Sequence, residues 1–97
     1  MSTYITITGQ KHYFGLLPFS VDSIFSLKPE PDNQYDPYAI AVYTETYGKV
    51  GYVAQSPENR ADGTVSASSL FSALKLPEKA IVRFIAGAFI IDELLEV

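Results

Sequence analysis

Aromatic side chains that could stack on flat ligands are concentrated around segments that the sequence predicts to be loops. Residues 12–14 are His-Tyr-Phe, Tyr35 stands beside Asp36 in a turn-rich segment, and Tyr52 lies in a short strand. Aromatic faces stack on nucleic-acid bases and contribute about 1–3 kcal/mol per base without reading the sequence. The same rings could instead close the ends of a small β-barrel. Three aromatic segments near one carboxylate favour the binding interpretation.

Most catalytic and metal-binding chemistry lacks the residues that it needs. The chain has no cysteine and a single histidine, which argues against a disulfide, a thiolate nucleophile and a structural zinc site. It contains neither the G-x-S-x-G element of serine hydrolases nor a glycine-rich phosphate loop. Asp32 and Asp36 could share a hard cation, but two acids in a Pro/Asn turn more often cap that turn. We therefore predict a non-enzymatic protein with no catalytic residue, no metal and no cofactor.

The length and charge of the chain limit its partners. With 97 residues, 47% hydrophobic composition and a net charge of −4, it reads as one globular domain spanning residues 1–97. The negative charge argues against non-specific nucleic-acid binding, which needs several Lys and Arg contacts, but it permits a small local site. The C-terminal acids Asp92, Glu93 and Glu96 are interpreted as a solvated face.

The N-terminal residues do not resemble a signal peptide. The longest apolar stretch, residues 80–91, is interrupted by Arg83. It is also shorter than the roughly 20 residues of a membrane span. The sequence therefore predicts a cytoplasmic protein with no membrane partner.

Period-two alternation and β-branched residues predict six strands that position these loops. A serine-led segment with apolar residues on one face predicts a single short helix. Short, mostly antiparallel strands close as a small barrel or pack as a sandwich. The predicted strands are residues 3–8, 24–27, 38–43, 49–54, 80–86 and 88–94, the helix is 66–75, and Gly87 is a turn or bulge between the last two strands.

Three blocks of the sequence resemble the HIRAN domain pattern. Residues 9–15 read GQKHYFG, residues 30–40 read EPDNQYDPYAI, and residues 48–53 read GKVGYV. The central block is the most specific, because it fits an N-x-Y-D-x-x-A-I core that a G-x-x-G-Y hairpin follows. The resemblance is good over residues 5–54, and the remainder resembles small standalone bacterial members.

This resemblance implies a mostly β fold, an OB-like antiparallel β-barrel of about six strands with one or two short helices. Family members attached to helicase-like enzymes bind single-stranded DNA, and the best understood of them holds a free 3′ end. By position, Tyr35 would stack on a terminal base and Asp36 would accept a hydrogen bond from the 3′-hydroxyl. His12 stands at a stacking tyrosine of the family, and Lys11 at an arginine that approaches phosphate.

Tyr13 and Tyr52 complete the predicted nucleic-acid site, and Tyr52 lies on the strand that flanks the pocket. Gln55 falls near the position where DNA-binding members offer a lysine to the backbone. The predicted partners are single-stranded DNA and a DNA-processing protein.

The alternative hypothesis is a protein-interaction or self-association module, because the chain is acidic and its C-terminal strands are apolar. Titration with short oligonucleotides and light scattering distinguish the two hypotheses. The sequence leaves the oligomeric state open.

Overall fold

The computed structural model describes residues 2–73, 78–87 and 89–95. Within them, six strands carry most of the regular structure, and one short helix and two 3-10 turns lie between strands. The strands are β1 (Tyr4–Thr8), β2 (Ile24–Pro29), β3 (Ile40–Thr44), β4 (Gly48–Val53), β5 (Glu78–Ala86) and β6 (Phe89–Leu95); the helix is α1 (Ala67–Ala73), and the 3-10 turns are Gln10–His12 and Pro57–Asn59. No helix of these described ranges is long and apolar enough to cross a membrane.

The six strands form a closed antiparallel barrel in the order β1-β4-β3-β2-β5-β6. Pairing of β1 with both β4 and β6 closes it. The predicted β-class is therefore confirmed, and the barrel, not the sandwich, is the observed solution. Closure gives each strand a partner on both sides, although β1 and β4 share only the pairs Ile7–Val53 and Thr8–Tyr52, and it satisfies backbone donors and acceptors that an open sheet would expose.

Alternation along the strands builds the core. β1 and β2 turn every second residue inward, and Phe19 from the loop between them packs on Phe25 with ring centroids 4.9 Å apart. The main members of this cluster are Ile5, Ile7, Phe19, Phe25, Leu27, Ile40, Val42, Val50, Val53, Ala80, Val82 and Ile90.

Every predicted element differs from the observed one by one or two residues at one or both ends; β2, for example, extends to Pro29 instead of residue 27, and β5 begins at Glu78 instead of residue 80. β3 begins at Ile40, not at residue 38. The reason is that the amides of Tyr38 and Ala39 are bonded back to Asp36 in the preceding turn. The helix covers residues 67–73, and the predicted residues 74 and 75 lie outside the described ranges. Gly87 has φ +59°, as a turn between β5 and β6 requires, and Ala88 lies outside the described residues.

The interpretation of the C-terminal acids as a solvated face is wrong for Asp92. Asp92 follows Ile90 by two positions on β6, so it shares the inward face and is fully buried. Among the described residues neither carboxylate oxygen has a hydrogen-bond partner, and burial raises the pKa of Asp92 to about 7. Glu93 points outward and binds Arg83 at 2.8 Å, and Glu96 lies outside the described residues.

Asp92 makes the stability of the barrel fall as the pH rises. Between its usual pKa of 3.8 and about 7, the folded chain holds a proton that the unfolded chain has released. Folding is therefore favoured by acid in this window, and each pH unit between about 5 and 7 removes roughly 1.4 kcal/mol. We expect Asp92→Asn to flatten this dependence, measured by urea unfolding at pH 5.5, 7 and 8.5.

Glu93→Gln is the matched control on the same strand. Hydrogen bonds from Ser2 and Arg83 lower the pKa of Glu93, so this group titrates below the window. The control should keep the wild-type slope. A slope in Asp92→Asn equal to that of the wild type would contradict the assignment to Asp92.

Candidate functional site

A cleft of about 440 Å³ opens on one side of the barrel. It lies between the ends of β1 and β4, the loop of residues 30–39, and the segment of residues 55–59. This volume is within the usual range of small-molecule sites, about 300–1,000 Å³. The residues that line it are Thr8, Tyr13, Asn33, Tyr35, Asp36, Ala39, Tyr52, Val53, Gln55, Ser56 and Asn59.

The side chain of Asn33 gives the loop of residues 30–39 its shape. Its Oδ1 accepts the backbone N–H groups of Tyr35 at 2.8 Å and Asp36 at 3.0 Å, and its Nδ2 donates to Glu30 at 3.1 Å. The ends of the loop are joined by the Glu30 N–H, which donates to the carbonyl of Ala39 at 2.8 Å. An Asn side chain that replaces backbone acceptors in this way is typical of tight turns. Tyr35 and Asp36 are thereby held together at the cleft.

Asp36 has two oxygens with different surroundings. Its Oδ1 accepts the backbone N–H of Tyr38 at 2.9 Å, so the predicted turn cap is confirmed for this residue. No described group donates to Oδ2, and Asp36 is half-buried in the cleft wall. The structure shows no cluster of three or more metal-ligating residues in its described ranges, and Asp32 is exposed. One carboxylate oxygen is thus available to accept a hydrogen bond from a ligand.

Tyr52 connects the cleft to the sheet through its hydroxyl group. The hydroxyl donates to Glu30 at 2.8 Å and accepts from Lys49 Nζ at 2.9 Å, while Lys49 binds the other oxygen of Glu30 at 2.6 Å. Burial and the hydrogen bond to Glu30 raise the pKa of Tyr52. Although burial acts in the opposite direction, the bonds from Lys49, Tyr52 and Asn33 lower the pKa of Glu30. This network fixes the ring of Tyr52 beneath the loop.

Three tyrosine rings surround the cleft at different exposures. Tyr13 lies against Tyr52, with centroids 6.4 Å apart and ring planes tilted by 52°. Tyr35 is 94% exposed and contacts little of the protein. A ring with this exposure is already hydrated on both faces, so stacking on a base would cost it no internal contact.

A glycine next to Tyr52 permits the close approach of β1. A Cβ at Gly51 would lie 2.9 Å from the carbonyl oxygen of Thr8 and 3.1 Å from a methyl of Ile7. Only glycine fits between these strands without a backbone shift. The G-x-x-G-Y element therefore places Tyr52 beside Thr8 in the cleft wall.

The structure brings four of the six predicted site residues together at the cleft: Tyr13, Tyr35, Asp36 and Tyr52. Lys11 and His12 are exposed on the first 3-10 turn and do not line it. This turn, held by the Tyr13 N–H donating to the carbonyl of Gln10 at 3.0 Å, brings Tyr13 to the wall instead of His12.

Sequence reasoning did not identify the polar residues of the far wall as site residues. Gln55 accepts the Ser68 N–H through Oε1 at 2.8 Å, which leaves its amide NH₂ as a donor. Ser56 precedes the second 3-10 turn and Asn59 is its last residue, and the Asn59 amide donates to the Ser56 hydroxyl at 3.2 Å. No motif marks Ser56 or Asn59, and the family resemblance noted Gln55 only as standing near a lysine of DNA-binding members. Asn33, in contrast, could have been found, because an Asn two residues before a Tyr-Asp pair indicates a side-chain-capped turn.

Comparisons with known proteins agree with this architecture. The sequence profile of the HIRAN domain matches residues 1–69. The crystal structure of a protein from Lactobacillus plantarum is similar with a TM-score of 0.67 and 22% identity, covering 97% of this chain and 91% of that chain. The HIRAN domain of human HLTF is similar with a TM-score of 0.67 and 21% identity, covering 96% of this chain and 72% of that chain. No curated protein matches the chain. At these identities the two structures support the barrel fold alone.

Removing the Asn33 side chain should loosen the loop that presents Tyr35 and Asp36. Asn33→Ala leaves two backbone N–H groups without their acceptor, which we expect to cost about 1–3 kcal/mol of unfolding free energy. Amide hydrogen exchange at residues 35 and 36 should accelerate. The exposed neighbour Gln34 provides the control, since Gln34→Ala removes a side chain with no described hydrogen bond. Unchanged exchange in Asn33→Ala would show that the loop holds its shape without this side chain.

Proposed function

The chain belongs to the HIRAN domain family, which is known for DNA binding, and we propose that it is a non-enzymatic module that binds the 3′ end of single-stranded DNA in the cleft. The observation that carries this proposal is the convergence of Tyr13, Tyr35, Tyr52 and Asp36 on one cleft. These residues come from three separate segments of the sequence, and the fold gives them a common surface.

The rings supply affinity that does not depend on base identity. Tyr35 at the rim offers an exposed face, while Tyr13 and Tyr52 form a second, tilted aromatic wall. A base that enters the cleft can contact both. Each stacked base contributes about 1–3 kcal/mol in single-stranded nucleic-acid binding.

Asp36 supplies the selectivity for the end. Its free Oδ2 accepts a hydrogen bond from a 3′-hydroxyl, whereas a 3′-phosphate would place negative charge beside a carboxylate. The remaining cleft polar groups are neutral: Asn33, Gln55, Ser56 and Asn59 provide amides and hydroxyls for the sugar and the base. Asp36 is therefore the one charged side chain among the described residues that line the cleft.

Lys11 and His12 would act outside the cleft. Both are exposed on the turn that ends at Tyr13, where a backbone phosphate of a bound strand would pass. Few cations and a net charge of −4 imply weak binding that strengthens at low salt.

Discrimination between two chemical ends tests the role of Asp36. We expect the wild type to bind an oligonucleotide with a 3′-hydroxyl at least about tenfold more tightly than one with a 3′-phosphate, the effect of one charge-assisted hydrogen bond and one repulsion. Asp36→Asn keeps an oxygen that can cap Tyr38 and removes the charge, so it should lose the discrimination and stay folded. The measurement is fluorescence anisotropy at low salt, with thermal unfolding in parallel.

Equal affinity of the wild type for both ends would refute end recognition. Absence of binding of either oligonucleotide at tens of micromolar would refute nucleic-acid binding by this cleft.

Truncation of the exposed ring tests stacking. Tyr35→Ala should weaken oligonucleotide binding by roughly 5- to 100-fold, which corresponds to 1–3 kcal/mol. It should leave the melting temperature nearly unchanged, because this ring makes few contacts. Phe84→Ala is the matched control: Phe84 is a 56% exposed aromatic residue on β5, outside the cleft lining. Equal losses in both variants would argue against a specific role for Tyr35.

A further inference from the structure

A row of register partners leads from the cleft across the outer face of the barrel, and its members are at least partly exposed except Ala41, which is fully buried. Lys28 on β2, Ala41 on β3, Tyr52 on β4 and Thr8 on β1 are successive register partners. Tyr52 and Thr8 line the cleft, and Lys28 is exposed at the other end of the row. Neighbouring strands lie about 4.8 Å apart, so Lys28 stands two strands, or roughly 10 Å, from the Tyr52 backbone.

A second row runs beside the first and adds two more lysines. Lys79, Ser26, Tyr43 and Lys49 are register partners across β5, β2, β3 and β4. The ring of Tyr43 in this second row contacts a lysine of each row, with Lys28 Nζ 5.2 Å and Lys49 Nζ 6.0 Å from its centroid.

Contacts between cations and rings join the two rows to the cleft. Lys49 Nζ is also 5.0 Å from the Tyr52 ring, and Tyr52 in turn contacts Tyr13. An unbroken sequence of aromatic and ammonium groups therefore extends from Tyr13 to Lys28.

The lysines on this surface differ in whether they are paired with a carboxylate. Lys49 is neutralised by Glu30 at 2.6 Å. Lys28 and Lys79 form no ion pair with any carboxylate whose side chain the structure describes, and both are exposed. The chain has only seven Lys and Arg residues. With Lys49 paired to Glu30, Lys28 and Lys79 are the two cations that give this face a local excess of positive charge in an acidic protein.

We propose that Lys28 and Lys79, with Tyr43 as the positioning residue of Lys28, form a track for the phosphates of the nucleotides that precede the end held in the cleft. This inference rests on the proposed function. A strand whose end lies in the cleft must leave it along the surface, and its phosphates need cations that the cleft lining does not supply. Sites on OB-type barrels cover roughly 4–16 nucleotides, more than the cleft holds. The face of Tyr43 against Lys28 restricts the amine to the side of the sheet where the strand would pass.

The experiment compares a trinucleotide with a dodecanucleotide, both oligothymidylates with a 3′-hydroxyl, by anisotropy at several salt concentrations. The wild type should bind the longer strand more tightly. Lys28→Gln should bind the trinucleotide as the wild type does and should weaken the dodecanucleotide roughly three- to tenfold, with the salt slope smaller by about 0.7. Lys28→Arg should restore both the dodecanucleotide affinity and the salt slope, and Tyr43→Leu should reproduce part of the loss of dodecanucleotide affinity.

Arg83→Gln is the control for net charge. It removes the same single positive charge, but from a guanidinium that Asp22 and Glu93 hold away from both rows. It should leave the length dependence intact. All variants are checked for wild-type melting temperature, and the exposed position of Lys28 makes misfolding of its variants unexpected.

The outcomes separate the track from the end-binding cleft. If the trinucleotide binds and Lys28→Gln does not alter the dodecanucleotide affinity, or Arg83→Gln alters it equally, the track is overturned and the cleft stands. If only the dodecanucleotide binds, in a Lys28-dependent manner, the lysines bind phosphate without an end in the cleft, and both end recognition and the track that leads from it are overturned. If neither binds, both are overturned.

Discussion

The carboxylate of Glu30 is the group on which the geometry of the cleft depends. It accepts hydrogen bonds from Lys49, Tyr52 and Asn33, so one side chain joins the end of β2 to the β3–β4 hairpin and to the turn that carries Tyr35 and Asp36. An isolated surface ion pair contributes about 0–1 kcal/mol. This pair is only about one quarter exposed and shares its carboxylate with two further donors, so loss of Glu30 would leave an ammonium and a phenol without their acceptor. The Glu30 carboxylate therefore positions both the ring of Tyr52 and the turn that carries Tyr35 and Asp36.

A buried carboxyl group destabilises the closed barrel, and this group does not line the cleft. Asp92 faces Ile5 and Val82 in the register of β6 and has no hydrogen-bond partner in the described part of the chain, so the protein carries a buried carboxyl where an apolar residue would stabilise it. The loop side chains at the cleft, in contrast to Asp92, form hydrogen bonds to the backbone. Asn33 and Asp36 each cap backbone N–H groups while they line the site, so positioning the site and closing the turn are the same interactions.

The sequence predicted features that depend on local chemistry. Alternating apolar residues indicated β1 and the β3–β4 hairpin, and the prolines with Asn33 and Asp36 indicated the turn. Features that depend on pairing across the barrel were not predictable in the same way. The inward direction of Asp92 follows from the register of β6 against β1, which charge patterning does not contain. Likewise, whether His12 or Tyr13 reaches the cleft depends on the phase of a three-residue 3-10 turn, and alternation gives no information about such a turn.

The separation of charge between the cleft and the outer sheet explains how an acidic chain could bind a polyanion. A carboxylate that accepts from a terminal hydroxyl is most selective where no cation neutralises it, and Asp36 is the one charged group among the described cleft residues. The same arrangement prevents the cleft from attracting phosphates. Cations must therefore lie away from Asp36, where they add to affinity without reducing the repulsion of a phosphorylated end. At physiological salt the field of a charge is screened over about 8 Å. Lys28 lies two strands, roughly 10 Å, from the Tyr52 backbone and is therefore at about this limit, so in the proposed track its contribution would come from direct contact with phosphate.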